Sequence, residues 1–143
     1  MAEERLRVLA LDVGESRIGV AVSDASGIVI SPLPAIQRSR LDADIQAVAR
    51  LVEEQEAKAV VVGLPVSLNG RIERQARLVK GFIQALSKEL YVPVYSQDER
   101  FSTVEAERLL RAAGHQPSRE KGLRDSASAA VILRAYLDSQ GVL

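Results

Sequence analysis

Leu6-Arg7-Val8-Leu9-Ala10-Leu11-Asp12-Val13-Gly14 alternates with apolar residues on both sides, Leu6, Val8 and Ala10 on one and Leu9, Leu11 and Val13 on the other. Successive side chains of a strand point to opposite faces, so a segment apolar on both belongs in the middle of a sheet covered on both sides. Asp12 sits at the end of this strand and Gly14 ends it. Ile18 to Val22 repeats the signal, Asp24-Ala25-Ser26-Gly27 has the chemistry of a turn, and a third strand is expected around Ile28 to Ile30. The opening third therefore predicts an antiparallel meander.

Beyond Pro32 and Pro34 the period changes. Leu41, Ile45, Val48 and Val52 recur at offsets of four, seven and eleven, the stripe of an amphipathic helix. Ala59-Val60-Val61-Val62-Gly63 is a short apolar strand, and Ile72, Ala76, Val79, Ile83, Leu86 and Leu90 trace a second helix. Strand, loop, helix and then a strand at Val92 to Ser96 is the pattern of a parallel crossover. Ser102 and Glu105 have the spacing of a capping box opening a helix that stops near Gly114. A polar, basic link from Gln116 to Arg124 leads to a last helix, about Asp125 to Gln140, with Ala129, Ile132, Tyr136 and Leu137 inward. The expected fold is α/β: a five-stranded mixed sheet, an antiparallel meander followed by parallel strands, with helices on both faces, the RNase H-like order.

Composition agrees. The 143 residues are 47% hydrophobic, enough for one continuous core, and only 3% aromatic, so Val, Leu, Ile and Ala must build it. Residues 1–143 are expected to be a single domain. The absence of Cys removes disulfides, thiolate catalysis and cysteine-held zinc. No apolar run approaches the roughly 20 residues of a membrane span and no leader is evident, so a soluble, unprocessed cytoplasmic protein is expected. Nineteen Lys and Arg balance nineteen Asp and Glu, leaving any attraction to nucleic acid to local patches.

Ligands of such sheets bind beyond the carboxyl ends of parallel strands, and here those ends carry acids. Asp12 closes the first strand, Asp98 and Glu99 follow the last, and Gly63-Leu64-Pro65 leaves the strand between. Asp125 lies on the inward stripe of the last helix. Carboxylates crowded together repel unless a divalent cation compensates them, and hard oxygen donors select Mg²⁺ or Mn²⁺ over zinc. Paired ions of that kind suit phosphoryl chemistry. Each acid alone also has a structural reading: Asp12 capping a loop, Glu99 paired with Arg100 or Arg124, Asp125 at a helix start.

Four motifs in order carry a resemblance that spans nearly the whole chain. Leu11-Asp12-Val13-Gly14 with Arg17-Ile18-Gly19-Val20-Ala21-Val22-Ser23-Asp24, Val62-Gly63-Leu64-Pro65 with Asn69-Gly70, Asp98-Glu99-Arg100, and Asp125 with Ala129-Ala130 resemble the YqgF/RuvX family of RNase H-like proteins. The resemblance implies a metal-dependent nuclease in which Asp12, Glu99 and Asp125 are the catalytic and metal-holding acids, with Mg²⁺ or Mn²⁺ as cofactor. Arg17, Asn69 and Arg100 would face substrate. Phe101-Ser102-Thr103 stands where the family has a residue and two Thr, and Ser128 where the more distant RuvC-type resolvases carry a second acid.

Arg71, Arg74, Arg77 and Lys80 recur along one side of the second helix, of which Arg71, beside Asn69-Gly70, is the best placed to touch a nucleic-acid backbone. Arg119, Lys121 and Arg124 cluster before Asp125 and are either a clamp or a solvated connector. The single His115 has no partner for acid–base work, and Tyr91, Tyr95 and Tyr136 suit core or sheet positions. The implied task is cleavage of structured RNA in maturation of the 5′ end of pre-16S rRNA. Cutting of four-way DNA junctions, and RNA binding without cutting as an accessory of ribosome biogenesis or transcription, are the alternatives. A monomer or homodimer fits, a junction resolvase needing two sites. The Asp12-Val13-Gly14 turn also resembles a phosphate motif of actin-like and sugar kinases, which close two such domains around nucleotide.

Overall fold

The computed structural model describes residues 7–65, 70–99 and 121–140, with backbone alone at 70–72, 99 and 121–125. In chain order these are β1 (Val8–Val13), β2 (Arg17–Ser23), β3 (Ile30–Gln37), α1 (Leu41–Glu54), β4 (Ala59–Pro65), α2 (Gly70–Glu89), β5 (Val94–Glu99) and α3 (Lys121–Ser139). The strands form one sheet in the order β3-β2-β1-β4-β5. β1 pairs antiparallel with β2, and β2 with β3, while β4 runs parallel to both β1 and β5. The mixed sheet expected from the sequence is therefore present, with β1 at its centre. The helix expected over 102–114 lies outside the described residues.

The two faces of the sheet are built differently. Leu9, Leu11 and Val13 of β1, with Ile18, Val20, Val22, Val60 and Val62, pack under Ile45, Val48 and Val52 of α1 and Val79, Phe82 and Leu86 of α2. The opposite face presents Val8, Ala10, Ala21, Ala59 and Val61, and against it lie Ala129, Ala130, Ile132, Leu133 and Leu137 of α3. Large aliphatic side chains fill the space under two helices. Alanines on both partners let a single helix approach closely.

Three elements have other bounds than the sequence alone predicts, and in the two strands pairing outweighs local composition. β3 starts at Ile30 and runs through Pro32 and Pro34, which had looked like punctuation. Proline lacks the N–H that a two-sided strand needs, but β3 is at the sheet edge and tolerates it. β5 begins at Val94 and includes Ser96, Gln97, Asp98 and Glu99, so the acids lie in the strand rather than after it. Parallel pairing carries that polar stretch, with Gly63 opposite Gln97 and Pro65 opposite Glu99. The last helix starts at Lys121, which places Asp125 inside it and removes both the helix-start reading of that acid and the expected link at 121–124. Leu41 heads the α1 stripe yet is half exposed, and Tyr91 is 84% exposed rather than in the core.

β3 also carries an irregularity. Val20 pairs with Leu33 and Ile18 with Ile36, so between these pairs Gly19 of β2 opposes two residues of β3, Pro34 and Ala35. In a regular strand Leu33 and Ile36 would face opposite ways; the extra residue lets both pack on the α1–α2 side.

Leu133 is fully buried against the sheet whereas Leu78 on α2 is 66% exposed. Leu133→Ala is expected to lower stability by about 2–5 kcal/mol and Leu78→Ala by less than about 0.5 kcal/mol, read from urea denaturation midpoints at constant slope.

Candidate active site

Asp12 follows Val8 and Ala10 on the face that α3 covers, and it is half-buried. Its antiparallel partner on β2 is Gly19. On the other side Leu11 pairs with Val62, so Asp12 is level with Gly63 of β4. The carboxylate thus has a glycine on each neighbouring strand, and the strands beside it carry no side chain at that level. Gly63 pairs in turn with Gln97 of β5, which is half-buried.

Pleat parity separates the two acids of β5. Tyr95 stacks on Tyr136 of α3 with ring centroids 5.9 Å apart, so the odd-numbered positions of β5 belong to the α3 side. Burial, with Tyr95 next to it, pushes the Tyr136 hydroxyl above the ordinary phenol value. Position 99 shares the parity of Tyr95 and Gln97. Asp98 shares that of Val94, which packs into the α1–α2 core, and is exposed. Asp12 and position 99 are therefore on one face, two strand spacings apart and two residues further along, roughly 12 Å in all, and Asp98 is on the other.

α3 places Asp125 four residues before Ala129 and seven before Ile132, both fully buried against the sheet. The neighbouring Ser126 is also fully buried; its Oγ accepts the Val20 N–H at 3.1 Å and donates to the Leu33 carbonyl. Val20 adjoins Gly19, the partner of Asp12. Among the described residues no group of three His, Cys, Asp or Glu could hold a metal ion. The side chains at 99 and 125 lie outside that set.

The turn after Asp12 is clamped from the opposite face. The Gly14 N–H donates to the Arg17 carbonyl at 2.9 Å, and a Cβ at Gly14 would stand 2.9 Å from that same oxygen. Arg38 Nη1 donates to the Gly14 carbonyl at 2.9 Å, the Arg38 N–H to the Ser16 carbonyl at 2.9 Å, and Gln75 Nε2 of α2 to the Val13 carbonyl at 3.1 Å. Arg38 is held in turn by Asp44, whose side chain is 3% exposed, through Nε–Oδ2 at 3.2 Å, and its guanidinium carbon lies 5.5 Å from the centre of the Phe82 ring. The other Asp44 oxygen accepts the Ser39 N–H at 3.0 Å.

Arg17 opens β2 with the parity of Gly19 and Ala21, on the Asp12 side, and is half-buried. The backbone of Arg71 is in the first turn of α2, four residues before Gln75. Arg74, Arg77 and Lys80 are exposed, as a solvated face would be. Asn69, Arg100, Arg119 and His115 lie outside the described residues, as does the side chain of Arg124. Sequence reading missed Arg38, Asp44, Gln75 and Ser126. An acid in the first turn of a helix, as Asp44 is in α1, is common, and nothing local marks a helical serine whose two partners lie on distant strands.

A family model described as "RuvX: Holliday junction resolvase" matches residues 6–139. A protein of Trichormus variabilis named "Putative pre-16S rRNA nuclease" is 41% identical over 133 residues, covering 93% of this chain and 88% of that protein. One of the same name from Chloroflexus aurantiacus is 43% identical over 133 residues, covering 93% and 87%. Among solved structures, RuvC of T. thermophilus in complex with a Holliday junction substrate superposes with a TM-score of 0.65 at 17% identity over 96% of this chain and 97% of that one. The fowlpox virus Holliday junction resolvase gives 0.60 at 13% identity, over 94% and 99%. At such identities these two likenesses are of fold.

Asp44→Ala strips a charged partner from Arg38 while leaving the guanidinium beneath α1 and α2. Because the Arg38 side chain is 26% exposed, the loss should fall near the low end for a broken buried pair, about 3 kcal/mol, in urea denaturation.

Proposed function

The chain belongs to the RuvX family, and we propose that it is a metal-dependent nuclease, one RNase H-like domain over 1–143, that hydrolyses phosphodiester bonds in precursor 16S rRNA. The observation that supports this most directly is Asp12 on the α3 face, flanked by Gly19 and Gly63, with position 99 of that same face two strands away. Glycine flanks leave room above the sheet for a phosphate that side chains would otherwise fill.

The donors fit a hard divalent ion: carboxylate oxygens from Asp12, Glu99 and Asp125, and no cysteine in the chain. These three acids would hold Mg²⁺ or Mn²⁺, and the ions, when bound, would lower the pKa of a water and offset charge on the scissile phosphate. Asp12 is held in place by the pairing of β1 on both sides, and the turn beyond it by Arg38 and Gln75. Arg17 and Arg71, with Asn69, Arg100 and Arg124, would bind and orient the phosphates through charge-assisted hydrogen bonds. The water oxygen attacks phosphorus, the ester bond to the departing oxygen breaks, and a proton passes to that oxygen.

Precursor ribosomal RNA is the substrate in this reading because the named relatives at about 41% identity carry that description. Cutting of four-way DNA junctions is the second reading, favoured by the description of the family model and by the likeness of fold to RuvC. A resolvase would present two sites as a homodimer, whereas an RNA processor acts as a monomer or homodimer. No described helix is long and apolar enough to cross a membrane, and a cytoplasmic place of action fits these substrates.

Purified protein and its Asp12→Asn variant, given end-labelled precursor rRNA or a four-way junction with Mn²⁺, Mg²⁺ or chelator, are expected to differ: the wild type cuts RNA only with metal, and the variant does not cut. Equal behaviour of the two would return the protein to an RNA-binding role. Glu99→Gln should reduce the rate by more than about 100-fold, beyond the range usual for outer partners of a metal site. Asp98→Asn, altering the opposite face, should leave it nearly unchanged.

A further inference from the structure

We propose that Ser126 is a positioning residue of this site: its buried hydroxyl, bonded between the Val20 N–H and the Leu33 carbonyl, sets where Asp125 stands relative to Asp12. The inference rests on the nuclease reading above and adds a residue that is itself neither ligand nor substrate contact.

The hydroxyl is in an unusual place. Val20 and Leu33 are register partners on β2 and β3, beside the point where one residue of β2 opposes two of β3. Pro32 and Pro34 flank Leu33, so the outer edge of β3 carries no N–H at either position. Ser126 enters from α3, fully buried, and serves both strands at once, accepting from one and donating to the other. A hydroxyl can do both, and an alkyl group of the same size can do neither.

Ile132, Leu133 and Leu137, the Tyr95–Tyr136 stack and the Arg134 bond to the Ile28 carbonyl at 2.9 Å hold the later turns of α3, whereas next to Ser126 the contact is made of small side chains. Ala129 and Ala130 lie over a sheet face of Ala10, Ala21 and Ala59. Burial of such residues favours contact but has no direction, whereas a hydrogen bond fixes distance and angle. The first turns of α3 thus take their position from Ser126. The route between the two acids is short: Asp125 adjoins Ser126, Ser126 bonds Val20, Val20 adjoins Gly19, and Gly19 pairs with Asp12. Loss of the hydroxyl leaves the Val20 N–H and the Leu33 carbonyl without it and frees the first turns of α3 to shift where the contact is alanine on alanine. Metal held jointly by Asp12 and Asp125 would register that shift first.

Wild type, Ser126→Ala and Ser126→Thr are titrated with Mn²⁺ at a temperature where circular dichroism shows all of them folded. Bound metal is read by electron paramagnetic resonance, and cutting by end-labelled precursor rRNA. The expected result is a half-saturating Mn²⁺ concentration raised about 10-fold in Ser126→Ala, as for other outer partners of metal sites. Ser126→Thr, which keeps the hydroxyl, should return close to wild type, and the rate at saturating Mn²⁺ should change less than the half-saturation. A purely structural role would lower the melting temperature of Ser126→Ala and leave Mn²⁺ half-saturation where it was; that outcome, with wild type cutting in an Asp12-dependent way, overturns the inference and leaves the nuclease reading standing. Wild type that neither binds Mn²⁺ nor cuts, and is indistinguishable from Asp12→Asn, overturns both. If Ser126→Ala is unfolded at every temperature, the isosteric pair Ser126→Thr and Ser126→Val replaces it, with the shift expected for Val alone and equal values overturning the inference.

Discussion

Pleat alternation in β1 is the constraint on which the rest depends, because it sends Leu9, Leu11 and Val13 to one side of the sheet and Val8, Ala10 and Asp12 to the other. The first set makes the thick core under α1 and α2. The second leaves a low surface in which the polar group at the end of the row is flanked by Gly19 and Gly63. A one-residue slip of β1 would bury Asp12 under two helices and force Leu11 onto the closely packed α3 face, so the hydrophobic core and the acid enforce the same register.

The two faces divide the labour. On the α1–α2 side, polar contacts are spent on the loop after Asp12: Arg38, backed by Asp44 and stacked over Phe82, takes the Gly14 carbonyl, and Gln75 takes the Val13 carbonyl. Carbonyls at a strand end beneath helices cannot be left without donors, and these side chains supply them. On the α3 side the contact is smooth, closed at the β5 end by the Tyr95–Tyr136 stack and pinned near β2 by Ser126. A rigid turn below and a closely seated helix above confine the same strand end from opposite directions. Sites that bring several carboxylates together need this, because their repulsion favours spreading apart until charge is compensated.

The edge strand shows how the sheet accommodates a sequence that argues against it. Two prolines within five residues would exclude β3 from the centre of a sheet, yet at the edge they remove donors that would otherwise face outward. The extra residue between Leu33 and Ile36 keeps both on the core side and creates the irregularity where Ser126 bonds. Packing and site positioning therefore meet in one feature.

Local period alone determined the elements that could be identified from the chain: the two-sided run at Val8 to Val13, the stripe Ile45, Val48, Val52, and the inward row Ala129, Ile132 and Leu137, whose apolar residues are all buried. It also placed Asp12, the Asp98-Glu99 pair and Asp125 near one edge of the sheet, since the acids sit next to such elements. What it could not decide was the face on which Asp98 and Glu99 lie, because parity at Glu99 depends on β5 continuing through Gln97 and Asp98, a polar stretch that only pairing with β4 makes a strand. Nor could it find Arg38 and Asp44, which act on a turn across the sheet, or Ser126, whose partner Val20 is 106 residues away. Periodicity is a property of neighbours in the chain, whereas register and the satisfaction of buried hydrogen bonds are settled between segments that meet only when the protein has folded.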